Sequence, residues 1–548
     1  MSLADQLQAA ASSGQLLAAS HDNIRALLAA SDNPLYRASI EELASAGQWA
    51  ELNDRFFQAL KFGTGGLRGR TVGKIVTKSE RGSAPADERP EHPCVGTNAM
   101  NFYNVSRATR GLVTYLKNYR ANAKLTGKPS IVFAHDTRHF SPEFAKFCAK
   151  IAMDHGANVY LFDYCRATPE MSFAVRQLRA DAGVMITASH NPAHDNGYKV
   201  NFNDGAGIVE PHATGIIKEV NAIKGEEYIP LPEAQRGKLT TLANEMDQKY
   251  LARVETMMLQ PELLQKEEAK KLKIVFTALH GAGGVLVPVL LKTFVTSPMQ
   301  DAIAAKFGVG CVNTLTGFKW ISAKLSKYEA ALPADIQSRY RDLNNVESRN
   351  ARLKHSKFLI FGGEESYGYM GDDFSRDKDG NGAVVMFAEL AAYAASLGLT
   401  VAGLLDQVYC EVGYFLEVNE SKVFEGASGA AQIAKLADSY GSNPPKEVDG
   451  SAVIKVRDFR KDEITDEEGD VVLKEKMLFV DLADGRSFAV RPSGTEPKIK
   501  YYMFGRSVPA AGQKLSADEL TAAKAKVTEG LSSMWAWLDK DIDARLAE

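Results

Sequence analysis

The sequence predicts a multidomain α/β protein, and three observations carry that reading. The chain has 548 residues, enough for three to four domains with a sizeable buried core. Between residues 102 and 187, short apolar runs alternate with amphipathic helical stretches, the pattern of a parallel sheet covered by helices. The loops that leave these runs are polar and charged, and in open α/β sheets ligands bind where strands end.

Taken in order, residues 1 to 60 carry helical periodicity and end in Arg55-Phe-Phe-Gln-Ala-Leu60. Gly63-Thr-Gly-Gly-Leu-Arg-Gly69 is a glycine loop, but Arg68 stands where a dinucleotide fingerprint needs its third glycine, so that fold is not supported. Residues 75–95 are polar and proline-bearing, an expected exposed excursion. A helix over 102–120 leads to a strand at 131–135, a helix at 141–155, a strand at 158–162, a helix at 169–180 and a strand at 183–187. Their strand-end loops carry Asp136-Thr-Arg138, Arg166-Ala-Thr-Pro169 and Ser189-His190, which right-handed crossovers gather on one edge of the sheet.

A second α/β unit is expected to begin with a strand at 273–279, followed by His280-Gly-Ala-Gly-Gly284. Another strand at 357–361 feeds Gly362-Gly-Glu-Glu-Ser-Tyr-Gly368. Past residue 415 the pattern changes. A polar loop over 461–470 precedes a strand at 487–491, then Pro492-Ser-Gly-Thr-Glu-Pro497, a strand at 498–504 and a helix over 516–546. No internal repeat or low-complexity segment interrupts this order.

Composition excludes several classes. Net charge is -3 with acids and bases interspersed, so there is no electrostatic footprint for nucleic acid or an anionic membrane. The five cysteines are odd in number and lack CxxC spacing, which argues against a disulfide framework or a zinc site and for a reducing, cytoplasmic setting. The N-terminus has no charged-then-apolar leader pattern. The longest apolar stretch, Ala383 to Leu405, contains Glu389 and is broken by Gly398, so it reads as two core helices rather than a membrane span.

Ser189, in Thr187-Ala-Ser-His-Asn-Pro192, is the central chemical candidate. A serine hydroxyl is a weak nucleophile and needs a base, a metal or an activated phosphoryl donor; His190 is adjacent and Lys199 lies ten residues on. The plainer alternative is a turn serine capping the next helix. Arg491-Pro-Ser-Gly-Thr495 offers a guanidinium, two hydroxyls and backbone amides, a set suited to a phosphate dianion, against the alternative of a tight hairpin with a solvated arginine. Glu364 and Ser366, between glycines at a strand end, are candidates to hydrogen-bond sugar hydroxyls, though the loop alone does not decide it. Arg68 and Arg138 are candidates to neutralise a phosphoryl group, with a solvated surface role as the alternative, whereas His280 reads as structural.

Together these segments resemble the α-D-phosphohexomutase superfamily, most closely its phosphoglucomutase/phosphomannomutase branch. The matching stretches are Phe62–Gly69, Gly96–Asn101, Thr187–Pro192, Thr277–Gly281, Thr314–Ile321, Gly363–Gly368 and Arg491–Lys498, in collinear order. The resemblance implies mixed α/β sheets around a central cleft plus a C-terminal α+β domain. On that frame residues 1–56 are a helical extension, 57–245 domain I with the phosphoserine loop, 246–292 a domain II remnant, 293–414 domain III with the sugar loop, and 415–548 domain IV with the phosphate loop.

The resemblance further implies that Ser189 is a phosphoserine that phosphorylates a hexose monophosphate. The bisphosphate intermediate then reorients and returns its other phosphoryl group. Arg491, Ser493, Gly494, Thr495 and Lys500 grip the distal phosphate, Glu364 and Ser366 hold sugar hydroxyls, and Lys199 with His190 moves protons. Glucose 1,6-bisphosphate is the expected activator, Mg2+ the expected cofactor and a hexose phosphate the expected partner, in a monomer or weak homodimer.

One part of the pattern is missing. The superfamily holds Mg2+, beside an oxygen of the phosphoserine, on an Asp-x-Asp-x-Asp-Arg loop in its second domain, between the segments matched here by 277–281 and 314–321. The intervening residues 282–313 contain no such loop and are too few for the remainder of an α/β domain, since one βαβ unit alone takes about 30. Asp372, Asp373, Asp377 and Asp379 form the densest acidic cluster but match a loop of the superfamily that is not its metal site. Aspartate ligands are therefore not identifiable, and impaired turnover is expected. Three alternatives stay open at this point: a non-catalytic sugar-phosphate binder, a phosphopentomutase, or a mutase whose metal ligands come from a second chain.

Overall fold

A computed structural model describes residues 2–63, 66–266, 269, 289–424, 426–493, 497–510 and 512–547. It divides by compactness into two units, residues 1–251 with 374–377, and residues 252–373 with 378–548. Among the described residues the longer strands form three sheets.

The first unit opens with four helices, α1 (Leu3–Ser12), α2 (Ala18–Ala30), α3 (Pro34–Ser45) and α4 (Trp49–Phe56). Their apolar faces close on one another around Leu27, Ile40, Leu52 and Phe56. Strand β1 (Gly66–Arg70) and the short helix α5 (Lys78–Arg81) follow. The stretch 75–95 is not the free excursion its polarity suggests. Thr77, Glu80, Cys94 and Val95 are buried, because Arg55 is buried beside them and pairs with both Glu51 and Glu80. A buried guanidinium needs such partners, so the polar residues turn inward to supply them.

Next come α6 (Phe102–Asn122), β2 (Ser130–His135), α7 (Ser141–Asp154), β3 (Asn158–Phe162), α8 (Thr168–Leu178), β4 (Ala182–Ile186), β5 (Asp195–Phe202), α9 (His212–Ala222), β6 (Leu239–Leu242) and α10 (Asn244–Glu255). The sheet order is β1-β5-β4-β2-β3-β6. Strands β2, β3, β4 and β6 run parallel, as alternation predicts, but β1 and β5 are antiparallel, so the sheet is mixed. The reason is local: the connection from β4 is a loop of residues 187–194 with no helix, and without a crossover the chain can only return antiparallel. Inward alternation of Tyr198, Val200 and Phe202 fixes the register of β5 in the core. Gly197 is required there, since a Cβ would stand 2.5 Å from the Thr187 carbonyl oxygen.

The second unit holds β7 (Val289–Thr293), α11 (Met299–Phe307), β8 (Gly310–Thr314), α12 (Phe318–Ala330), α13 (Asn345–His355), β9 (Leu359–Glu364) and β10 (Gly368–Met370). Their sheet has the order β10-β9-β7-β8, with β7, β8 and β9 parallel and β10 antiparallel. Strand β7 is central in it, so residues 289–292 lie in this sheet. The strand expected at 273–279 and the glycine turn after it lie outside the described residues.

Helices α14 (Gly380–Ser396) and α15 (Val401–Val412) bend by 83° at the break that holds Gly398. Among the described residues no single helix is long and apolar enough to cross a membrane. Glu389, buried on α14, accepts the backbone N–H groups of Leu259 and Gln260, which fastens the segment ahead of residue 266 to this helix.

Strands β11 (Tyr414–Val423), β12 (Glu447–Val448), β13 (Ser451–Asp458), β14 (Leu478–Leu482), β15 (Ser487–Pro492) and β16 (Lys498–Ser507) form an antiparallel sheet in the order β11-β16-β15-β14-β13-β12. Helices α16 (Gly426–Ser442) and α17 (Ala517–Ala547) cover one face through Leu436, Tyr440, Leu531, Met534 and Leu538. The other face meets the strand ends of the four-stranded sheet. Val295 and Leu315 pack there with Phe459, Phe479, Tyr502 and Phe504. Lys324 on α12 is sunk among Asp466, Glu468 and Asp470, which hold it above the ordinary lysine range although burial pulls the other way.

Candidate functional site

In the first unit the site is the loop that closes β4. Thr187 is buried, and its Oγ1 accepts the backbone N–H of Ser189 at 2.9 Å. Ser189 takes a left-handed conformation, φ 56°, which lifts its side chain out of the strand direction and leaves the residue exposed. No helix follows for this serine to cap. Lys199, on the antiparallel return strand, donates from Nζ to Ser189 Oγ at 2.5 Å. The register explains the meeting, because Lys199 pairs with Met185 on β4 and with Gly66 on β1.

Two arginines shape the loop. Arg138, from the loop after β2, donates to the carbonyl oxygens of Ser189, Asn191, Pro192 and Asp195 at 2.6–3.1 Å. Arg68, on β1, donates to Asn191 Oδ1 at 3.0 Å. The guanidinium of Arg138 is thus spent largely on loop carbonyls, and it braces the serine turn as well as lending it positive charge. His190 is exposed on the same turn. At the neighbouring strand end Arg166 grips Asp247 with two bonds of 2.8 Å, and Glu170 is buried beside them. Burial first, and then the nearby Asp247 carboxylate, push Glu170 up to about 8.

In the second unit the loops after β8 and β9 lie with Arg491 on β15 and Glu475 ahead of β14. Gly317, at φ 108°, opens the loop before α12 and donates its N–H to Glu364 Oε2 at 3.1 Å. Lys378 pairs with the other oxygen of Glu364 and donates to the Ser366 carbonyl at 2.5 Å. Ser366 Oγ donates to Glu365 Oε1 at 3.0 Å, while Thr293 donates to Glu365 Oε2 at 3.1 Å. Arg491 donates from Nε to Glu475 Oε1 at 2.7 Å, and Thr316 Oγ1 donates to the same oxygen at 3.2 Å. Burial acts to lower Arg491, but Glu475, Tyr502 and Glu365 outweigh it and hold the guanidinium charged above its usual range.

Across the strand pair Arg491 faces Lys500, and Ser493 donates its N–H to the Lys498 carbonyl. Gly494 and Thr495 lie outside the described residues. Of the residues predicted from sequence, Glu364, Ser366 and Arg491 are linked, through hydrogen bonds and the Thr316–Gly317 peptide, in a set that also includes Glu365, Lys378, Thr316 and Glu475. Sequence reading missed those four. Thr316 carries a signal in the LTGFKW stretch and Lys378 in the acid-and-base-rich stretch after the loop, but Glu475 sits in a polar connection with none.

The described residues do not fit a Mg2+ site. Among them no group of three or more His, Cys, Asp or Glu side chains is placed to hold a metal ion. The neighbours of Ser189 are cationic, and Asp136 and Asp195 are bonded to Ser141 and Asn191. Asp373 is paired with Arg352 and bonded to Tyr340, and Asp379 caps α14 through the Gly382 N–H. An Asp-x-Asp-x-Asp run does occur at Asp539–Asp543, but it lies within α17. Residues two apart there point about 200° apart, and Asp541 is taken by Tyr440 and Arg545.

Comparison with known proteins agrees with the order of these loops. The family profile described as phosphoglucomutase/phosphomannomutase α/β/α domain I matches residues 93–227. The corresponding domain III profile matches 272–334 and 349–409, and the C-terminal domain profile matches 423–521. A phosphoglucomutase of Staphylococcus epidermidis is 29% identical over 527 residues, covering 81% of this chain and 90% of the relative. One from Staphylococcus aureus is 27% identical, covering 83% and 91%. Among solved structures, the pp63/parafusin phosphoglucomutase of Paramecium superimposes with a TM-score of 0.54 at 15% identity, over 89% of this chain and 96% of that one, a likeness of fold.

Proposed function

Since the chain belongs to the α-D-phosphohexomutase superfamily, in its phosphoglucomutase/phosphomannomutase branch, and is a phosphotransferase of the mutase class, we propose that Ser189 is the residue through which it moves a phosphoryl group between the 1 and 6 positions of a hexose. The observation that carries this reading is the 2.5 Å hydrogen bond from Lys199 Nζ to Ser189 Oγ, on a turn braced by Arg138.

When a hexose monophosphate hydroxyl attacks phosphoserine, its O–H bond breaks with the proton passing to His190, the new P–O bond forms on the sugar and the P–Oγ bond breaks. Charge builds on the departing Oγ, and Lys199 is placed to donate its proton there. In the return step the sugar bisphosphate presents its other phosphoryl group, Ser189 Oγ attacks it as its own proton passes back to Lys199, and the P–O bond to the sugar breaks with the departing oxygen taking the proton from His190. Arg68 and Arg138 supply positive charge around the turn, and His190 is available on the exposed side. Arg491, Ser493 and Lys500 take the distal phosphate, with Gly494 and Thr495 in the same segment. Glu364 and Ser366 take sugar hydroxyls.

Mg2+ is the ion the superfamily generally uses, and the absence of a fitting carboxylate set among the described residues favours a slow enzyme. We infer that the second domain is truncated ahead of β7 and that the metal loop is lost with it. Metal assistance is worth several kcal/mol, so turnover is expected about 10³-fold below the usual enzyme range.

Two measurements test the reading. Intact mass before and after addition of glucose 1,6-bisphosphate should show one added phosphate, absent in Ser189→Ala. A coupled assay from glucose 1-phosphate to glucose 6-phosphate, with Mg2+ and glucose 1,6-bisphosphate present, should show slow turnover. A rate near 10 s⁻¹, the median for enzymes, would overturn the impairment. The same missing carboxylates support a second reading, a sugar-phosphate binder that never carries phosphate on Ser189; there the mass would not change while hexose phosphate still bound.

A further inference from the structure

We propose that Glu475 is a positioning residue, which aims the Arg491 guanidinium at phosphate and, through Thr316, sets the span between the phosphate grip and the sugar loop. The inference rests on the reading of Arg491 as a phosphate ligand. Glu475 accepts the Arg491 Nε–H at 2.7 Å, and the Tyr502 phenol lies beside the same guanidinium. An arginine tethered at Nε keeps its two terminal nitrogens side by side and pointed away from the tether, which is the edge a phosphate takes in bidentate fashion.

The same Oε1 atom accepts Thr316 Oγ1 at 3.2 Å, and the next residue, Gly317, donates to Glu364 at 3.1 Å. Lys378 then joins Glu364 to the Ser366 carbonyl. Hydrogen bonds joined through the Thr316–Gly317 peptide unit therefore connect Arg491 to the sugar loop, with Glu475 at the branch point. Strands β8 and β15 come from different sheets, so nothing in the backbone ladder fixes the distance between their loops. A ligand that touches both loops feels that distance, whereas a ligand that touches only the arginine does not.

The test is calorimetric binding of two probes, glucose 1-phosphate and inorganic phosphate, to the full chain. In Glu475→Ala both should bind about tenfold more weakly, the size expected for losing a charged hydrogen-bond partner that orients a ligand group. Glu475→Gln keeps an oxygen acceptor for Nε and should stay within about threefold of the parent. Thr316→Val should leave inorganic phosphate unchanged and weaken glucose 1-phosphate by about threefold. Parent-like binding of both probes by Glu475→Ala overturns the proposal, as does a Gln variant that binds as poorly as the Ala variant while melting at the parental temperature. If the parent chain binds neither probe, the reading of Arg491 falls first and this inference falls with it.

Discussion

The six-stranded and four-stranded sheets share one wiring at their centres and differ in what they hang on it. In the order β5-β4-β2-β3 and again in the order β10-β9-β7-β8, the first strand is central, the second and third flank it in parallel, and the fourth returns antiparallel. The loop between third and fourth strands is residues 187–194 in one case and 365–367 in the other. Each has a non-glycine residue in the left-handed region, Ser189 at φ 56° and Tyr367 at φ 57°. Yet the first presents a hydroxyl under an ammonium group, and the second presents the Glu365 carboxylate and the Ser366 hydroxyl bonded to each other, beside Glu364 paired with Lys378. The wiring marks where chemistry is displayed, and the side chains brought up by the return strand and adjoining loops decide which chemistry it is.

Removing the hydroxyl that distinguishes the first loop should have the largest effect. Ser189→Ala is expected to cut mutase turnover by about 10³-fold or more and to abolish phosphate incorporation seen by intact mass. Labelling that survives in that variant would put the nucleophile elsewhere and break the comparison. Lys199→Met should slow dephosphorylation of the phosphoprotein by about 10²–10⁴-fold, read by quenched-flow mass spectrometry, while hexose phosphate affinity hardly moves. An equal loss of affinity would mean the lysine binds substrate rather than serving the serine.

The second loop should behave in the opposite sense. Glu364→Gln is expected to weaken glucose 1-phosphate binding by about tenfold, with the extent of Ser189 phosphorylation by saturating glucose 1,6-bisphosphate preserved. A variant that binds normally but cannot be phosphorylated would reverse the roles of the two loops.

The smallest effect concerns the loops after the second strands. Arg166, Glu170 and Asp247 form a titrating group after β3, whereas the loop after β8 uses Thr316 and Gly317. Glu170 titrates near 8 in the folded chain against an ordinary 4.5, so the folded state holds this proton more tightly than the unfolded one. Its contribution to stability is full below about 4.5 and is lost as pH rises through about 8. The melting temperature of the first unit should drop by about 2–4 °C between pH 6 and 9 beyond the background trend. Glu170→Gln should flatten that part of the profile, and an unchanged slope would assign it to other groups.

The sequence made β2, β3, β4 and the two strands that flank the phosphate loop legible, because each is a short apolar run bounded by turn residues. Return strands were harder to see. Asp195–Phe202 alternates Tyr198, Val200 and Phe202 with polar residues, but it opens on Asp195-Asn-Gly197, which reads as a turn. Arg55 and Glu80 looked like surface residues because their burial depends on pairing over a long stretch of chain, which local composition does not encode. Ser189, Lys199, Glu364 and Arg491 stand out in the sequence by residue type and motif. The tethers that hold them, Glu475 and Lys378, come from positions whose meaning exists only once the loops have met.

The left-handed turn at residue 189 has a consequence for substitution histories. Serine and threonine are usually exchangeable carriers of phosphate, but a β-branched residue is a genuine outlier at φ 56°. Ser189→Thr would set its extra methyl against a backbone already fixed by four carbonyl contacts to Arg138. Exchange for threonine is therefore strained at this position for as long as the loop keeps its shape.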